Sequence, residues 1–280
     1  MANHRDTQGE YMPTYPIDLE LLSELAQAAG KGIMDIYATD FSVDIKSDNS
    51  PLTQADTRSH EIISARLQKE YPTIPILSEE GKMISFEERK KWNRFWLVDP
   101  LDGTKEFVKK NDEFTVNIAL IENHTPVAGV IYAPALDLMY LADVKTGCWE
   151  IARGKQRKLE ILPPVDGDVI RVVQSRSHPS EALSKCLNAL PSHEALSRGS
   201  SLKFCLVAAG KADLYPRLGP TWEWDTGAGQ AVVTAAGGVV TDTHGASFRY
   251  NKPNLLNGAF FVGADRDFME GLSLFSEESV

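Results

Sequence analysis

Between Arg94 and Leu162 the chain passes through six short apolar stretches, at about 94–98, 114–121, 127–132, 138–142, 148–151 and 158–162, mostly divided by turn residues. Links this short leave no room for crossover helices, so the stretches are predicted to pair as an antiparallel sheet. Pro163-Pro164-Val165-Asp166-Gly167-Asp168 breaks the pattern and is the best linker candidate. Beyond it the order is strand 169–174, helix about 180–190, helix 201–209, strand 212–215, helix 226–236, strands 238–241 and 259–262, and a final helix. That alternation reads as α/β. Ahead of the sheet, Leu21, Leu22, Leu25, Ala28, Ala29, Ile33 and Ile36 keep helical spacing over 17–37, and Ile62, Ile63 and Leu67 mark a helix over about 55–71. The predicted organisation is a polar, disordered extension (1–16), an N-terminal α+β domain (17–165) and a C-terminal α/β domain (166–280).

A chain of 280 residues can fill one large or two medium cores, and 42% hydrophobic with 24% charged residues is ordinary globular composition. The formal charge of −10 argues against non-specific nucleic-acid binding, which needs a basic face. No apolar run approaches the roughly 18–20 residues that span a bilayer. The residues before Pro16 lack the apolar core of a signal peptide. Cys148, Cys186 and Cys205 are odd in number, show no zinc-type spacing, and fit a reducing cytoplasm.

Chemistry concentrates in Leu97-Val98-Asp99-Pro100-Leu101-Asp102-Gly103-Thr104. The buried-strand pattern Phe95-Trp96-Leu97-Val98 is predicted to end at Asp99, because Pro100 cannot donate to a ladder. Two carboxylates one turn apart at a strand end suit a hard cation such as Mg²⁺. Thr104 opens a helix-like stretch to Lys110, and a helix N-terminus offers free N–H groups to a phosphate. A plain structural turn competes with this reading, since Asp-Pro and Asp-Gly are ordinary turn pairs.

Three further carboxylates have bland alternatives of their own. Glu79 follows the short strand Ile74–Leu77, where ligands gather in open sheets, yet Glu79-Glu80 also reads as an acidic loop. Asp225 sits where a helix N-cap would, and Thr53-x-x-Asp56 is a variant capping box. Caps alone do not explain all of them together.

In that order, Thr53-x-x-Asp56, Ser78-Glu79-Glu80, Asp99-Pro100-Leu101-Asp102-Gly103-Thr104 and Trp224-Asp225-x-x-Ala228-Gly229 resemble the inositol monophosphatase superfamily, Mg²⁺-dependent and lithium-sensitive phosphomonoesterases. The resemblance runs from about residue 17 to the C-terminus. Lys105-Glu106-Phe107, the run Glu113–Ile121 and Gly199-Ser200-Ser201-Leu202-Lys203-Phe204-Cys205 resemble its bacterial 3′(2′),5′-bisphosphate nucleotidase branch. One departure is Gly227, where the family usually carries alanine.

The resemblance implies a layered α-β-α-β-α sandwich with the site between its halves. It implies that adenosine 3′,5′-bisphosphate (PAP) is hydrolysed to AMP and phosphate in sulfur assimilation, with the sulfated analogue PAPS a second candidate substrate. One Mg²⁺ would take Glu79, Asp99 and the Leu101 carbonyl; a second, Asp99, Asp102 and Asp225; a third, weaker ion would sit near Glu79. Glu79 and Thr104 would orient the attacking water, with Asp56 polarising the Thr104 hydroxyl. The backbone of Gly103 and Thr104 would hold the reacting phosphate. Lys203, Arg217 and Ser200 are candidates for a second phosphate, and His178 for the nucleoside. A helix cap at Ser200-Ser201 and a solvent-facing Lys203 compete with that assignment. An inositol or sugar phosphatase and a non-catalytic nucleotide sensor stay open as alternatives. Related bacterial enzymes are peripheral on the cytoplasmic face of the inner membrane, while this sequence shows no anchor and fixes neither monomer nor homodimer.

Overall fold

The computed structural model describes residues 17–45, 51–165, 167–177 and 180–275. In chain order the elements are α1 (Leu19–Tyr37), β1 (Val43–Ile45), β2 (Pro51–Thr53), α2 (Gln54–Glu70), β3 (Ile76–Ser78), α3 (Phe86–Arg89), β4 (Arg94–Asp102) and α4 (Thr104–Val108). Then come β5 (Thr115–Glu122), β6 (Thr125–Ala133), β7 (Leu138–Asp143), β8 (Gly147–Ala152), β9 (Lys155–Leu159), β10 (Ile170–Ser175), α5 (Glu181–Ala189) and β11 (His193–Arg198). The chain closes with α6 (Leu202–Ala208), β12 (Leu214–Arg217), β13 (Thr221–Trp222), α7 (Glu223–Ala235), β14 (Val239–Asp242), β15 (Leu256–Asn257), β16 (Phe260–Gly263) and α8 (Arg266–Gly271).

Asp18 starts α1 by accepting from the Leu21 N–H at 3.0 Å, and the apolar stripe from Leu21 to Ile33 buries completely or nearly so. Each such leucine or isoleucine contributes about 1.5–3 kcal/mol by leaving water. That stripe lies with α2 on one face of a seven-stranded sheet ordered β3-β4-β5-β6-β7-β8-β9, antiparallel throughout except for β3 beside β4. On the sheet's other face lie α6 and α7, then the five-stranded sheet β11-β10-β12-β16-β14, with α5 and α8 outermost. This is the expected α-β-α-β-α sandwich. The largest apolar cluster joins both sheets through α6 and α7, from Leu77 and Tyr140 to Val173 and Phe260.

Three sequence expectations need correction. The strand does not stop at Asp99: β4 continues to Asp102 through a bulge, with Asp99 opposite Asn117 and Asp102 opposite Thr115. A bulge takes Pro100 out of the ladder, so its missing N–H costs nothing there. The segment 193–198, which has no strand-like alternation, forms β11, because a partly exposed edge strand can be polar on both faces. Helix α7 begins at Glu223, three residues before the predicted start, so Asp225 is its third residue and not its cap. Gly227 has a packing reason: a methyl group there would meet the Leu97 side chain at 2.8 Å.

Candidate active site

The bulge in β4 turns Asp99 and Asp102 out at the strand's end, and Ser59 of α2 pins it by donating to the Pro100 carbonyl at 2.7 Å. Asp99 is buried; it accepts from the Leu101 N–H at 3.1 Å and hydrogen-bonds to Glu79, whose backbone N–H reaches the Val98 carbonyl at 3.1 Å. Burial first, then repulsion from Glu79, Asp102 and Asp225, pushes the Asp99 carboxyl well above the usual carboxylate range. Asp225 is driven up the same way, by burial, Asp102 and Glu79, although it accepts from the Trp222 N–H at 2.8 Å. It therefore closes the start of α7 and faces the cluster at once. Asp102 is also raised, chiefly by burial, with Lys203 opposing.

Asp56 divides its two oxygens between structure and site. Oδ2 accepts from the Thr53 N–H (2.8 Å) and Oγ1 (2.7 Å), completing the capping box. Oδ1 lies 3.1 Å from Thr104 Oγ1, and the Leu101 carbonyl lies 3.3 Å from the same hydroxyl. A single hydroxyl proton favours the carboxylate, which leaves the Thr104 lone pairs to accept from a water.

Gly103 joins β4 to α4 in the left-handed region (φ 87°, ψ 40°). An added Cβ would meet the Glu113 carbonyl at 3.1 Å and Ser200 Cβ at 3.2 Å. Helix α4 has five residues, so an anion held by the Gly103 and Thr104 N–H groups needs cations nearby.

Those cations line a pocket of about 180 Å³ together with Asp102, Gly103, Thr104 and Asp225. Lys203 is 5% exposed, so it does not face solvent. Its ammonium donates to the Ser200 carbonyl and lies 5.5 Å from the centre of the Tyr215 ring. Burial pushes its pKa down to about 8, with Asp102 working in the other direction. Arg217 lines the same pocket and spends two donors on the carbonyls of Gly219 (3.2 Å) and Pro220 (2.9 Å). Ser200 Oγ is buried and finds no hydrogen-bond partner among the described residues. Ser201 precedes α6, yet its hydroxyl caps nothing: it bonds to Thr115 Oγ1 (2.8 Å) and donates to the Asn117 side-chain Oδ1 (2.7 Å). His178 lies outside the described residues.

Sequence reasoning missed Glu106, which lines the pocket 4% exposed and accepts from Ser177 Oγ at 2.5 Å. Its spacing three residues after Gly103 is the ordinary place for a helix-start acid, so the resemblance of Lys105-Glu106-Phe107 marked the segment without giving Glu106 a role. The aromatic floor of Phe204, Tyr215 and Phe260 was missed for a different reason, since apolar helix and strand residues do not announce which cavity they border.

The donors here are all oxygen: Glu79, Asp99, Asp102, Asp225 and the Leu101 carbonyl. Among the described residues no three acidic, histidine or cysteine groups already converge on one point as a finished metal site. The raised carboxyls nevertheless record crowded negative charge that a hard divalent cation relieves, so the donor set fits Mg²⁺.

Comparison with known proteins gives the chain's family. The model of the inositol monophosphatase family matches residues 18–273, and the chain belongs to that family. Membership makes it a phosphatase that depends on a divalent metal and acts on a small phosphorylated molecule. The 3′(2′),5′-bisphosphate nucleotidase CysQ of Salmonella typhimurium is 47% identical over 250 residues, covering 87% of this chain and 98% of its own length. The crystal structure of CysQ from Bacteroides thetaiotaomicron superposes with a TM-score of 0.77 at 42% identity, over 89% of this chain and 97% of that one. SuhB from Bartonella henselae, at 25% identity, reaches 0.78 over 92% and 98%. No described helix is long and apolar enough to cross a membrane.

Proposed function

We propose that this chain is a Mg²⁺-dependent 3′(2′),5′-bisphosphate nucleotidase that hydrolyses PAP to AMP and phosphate, clearing a by-product of sulfur assimilation in the cytoplasm. One observation carries the reading: Lys203 and Arg217 share a pocket with Asp102, Gly103, Thr104 and Asp225, so that charge for two phosphates is gathered in one place. The kinship with CysQ enzymes supports it.

In this reading Glu79, Asp99 and the Leu101 carbonyl would hold one ion and Asp99, Asp102 and Asp225 a second, with room for a third, weaker ion near Glu79. The chemistry supplied by bound Mg²⁺ is Lewis acidity toward the phosphoryl oxygens and a lowered pKa for the attacking water. Thr104, its proton committed to Asp56, accepts a hydrogen bond from that water, and Glu79 takes the other side. The Gly103 and Thr104 N–H groups hold the 3′-phosphate. As the water oxygen bonds to phosphorus it releases one proton to solvent, the ester P–O bond breaks, and the departing 3′-oxygen takes a proton from solvent. Lys203, Arg217 and the free Ser200 hydroxyl hold the 5′-phosphate, which does not react.

Phosphate release measured side by side on PAP, PAPS and inositol 1-phosphate, with Mg²⁺, tests the reading. The expected result is the highest kcat/KM on PAP. A preference for inositol 1-phosphate would assign the site to a sugar phosphatase, and no release from any substrate would leave a nucleotide sensor.

A further inference from the structure

Two segments that mark the nucleotidase branch in the sequence, 113–121 and 199–205, take no direct part in the chemistry above except through Ser200 and Lys203. In the fold they meet. Glu113, in the loop before β5, is 13% exposed and receives a two-pronged hydrogen bond from Arg176, Nε at 2.9 Å and Nη2 at 2.8 Å. The same carboxylate accepts the Gly199 N–H at 2.7 Å and stands 3.6 Å from the Arg198 guanidinium. Burial alone would push its carboxyl up, but Arg176 and Gly199 outweigh that and hold it below the usual range. The seat is tight: a Cβ on Gly199 would lie 2.8 Å from the Glu113 carbonyl.

Thr115 and Asn117 of β5 grip the next residue but one through the Ser201 hydroxyl. Between these anchors Ser200 is forced to φ +48°, a backbone conformation that a non-glycine residue keeps only when its neighbours impose it. Its carbonyl receives the Lys203 ammonium, and its unpartnered hydroxyl borders the pocket. Glu113 also follows closely on the Asp99–Thr104 turn, since its carbonyl packs against Gly103.

We infer that Glu113 is a positioning residue, which with Arg176 latches the Ser200–Lys203 loop of the C-terminal half to the Asp99–Thr104 turn and so sets discrimination for a substrate's second phosphate. The inference rests on the nucleotidase reading for its choice of substrate, but the latch itself is a matter of geometry. Glu113 touches neither phosphate; it acts through Ser200 and Lys203.

The test uses the full chain with Glu113→Gln and, because Arg176 is 44% exposed and its loss leaves the core intact, Arg176→Ala as a second variant. Hydrogen exchange on amides 199–203 is expected to speed up at least tenfold in both, with α1 and α2 unchanged; unaltered protection overturns the latch whatever the substrate. The ratio of kcat/KM on PAP to that on inositol 1-phosphate is expected to fall at least tenfold in Glu113→Gln. In a Lys203→Met background the same change is expected to alter the ratio less than twofold, because the two residues act through one loop. Equal losses on both substrates, or additive effects in the double variant, overturn the positioning role. A wild-type enzyme without activity on PAP overturns the nucleotidase reading instead, and the exchange result still decides the latch.

Discussion

Lys203→Met separates recognition from stability by opposite signs. Methionine keeps the length of the stem that lies over Tyr215 and removes the charge. Holding that charge inside the fold is expensive: a pKa driven from 10.5 to about 8 corresponds to roughly 3 kcal/mol of differential cost, on a side chain 5% exposed. The attraction of Asp102 is already part of that balance. Removing the ammonium therefore leaves the melting temperature of the free enzyme unchanged or higher. Recognition moves the other way, because a lost hydrogen bond to a charged group costs about 1.5–3 kcal/mol, or about 10- to 150-fold. The 5′-phosphate of PAP feels that loss, and inositol 1-phosphate, with no second phosphate, does not. The assay is phosphate release at saturating Mg²⁺ on both substrates, paired with thermal unfolding. An equal fall on both substrates, or a melting temperature several degrees lower, would refute the assignment and return Lys203 to the fold.

Other consequences are as direct. Excess chelator should abolish phosphate release and added Mg²⁺ restore it, with millimolar-scale Li⁺ inhibiting; full activity in chelator would remove the metal from the reading. Asp99→Asn should cut turnover by more than ~10-fold, while the chelated variant melts no lower than wild type, since it sheds a carboxyl that burial and three neighbours already disfavour as a charge. Gly103→Ala puts a side chain into the left-handed region against the Glu113 carbonyl, and should destabilise by about 1–3 kcal/mol in urea unfolding. Glu150 is opposed by burial but held below the usual carboxylate range by Lys211, Tyr140 and Arg157. Its contribution is complete above the unfolded carboxylate pKa and lost as pH falls through the lower folded value, because there the unfolded chain binds more protons. Glu150→Gln should therefore flatten the acid limb of a stability-against-pH curve; an unchanged limb would count against it.

The strand-end acid cluster proposed for catalysis was legible as a motif because its residues are local in sequence. Asp99, Asp102, Gly103 and Thr104 fall within one strand end; alone they read as well as an ordinary turn, and the distant Asp56, Glu79 and Asp225 are what set them apart. Reading Pro100 as a strand terminator failed because a ladder can step over a proline at a bulge, and that depends on the partner strand β5. Asp225 was found for its residue type but misplaced on its helix: α7 begins directly after the strand residue Trp222, whose N–H bonds to the Asp225 carboxylate.

The residues proposed for recognition were legible as a set but not in their arrangement. Nothing local tells Lys203 from a solvent-facing lysine in the first turn of a helix; its burial follows from β12 and β16 bringing Tyr215 and Phe260 beneath α6. Nothing in the spacing of Glu113, Arg176 and Gly199 announces that one carboxylate serves both of the others, because the three lie on separate loops. Such partnerships exist only once two sheets share a core, and here that shared core runs through α6 and α7, the helices that follow Ser201 and carry Asp225. A substitution that loosens α6 against α7, such as one at Phe204 or Val232, would therefore shift the Lys203 ammonium and the Asp225 carboxylate relative to one another. The two halves of the site are thus coupled through packing as well as through charge.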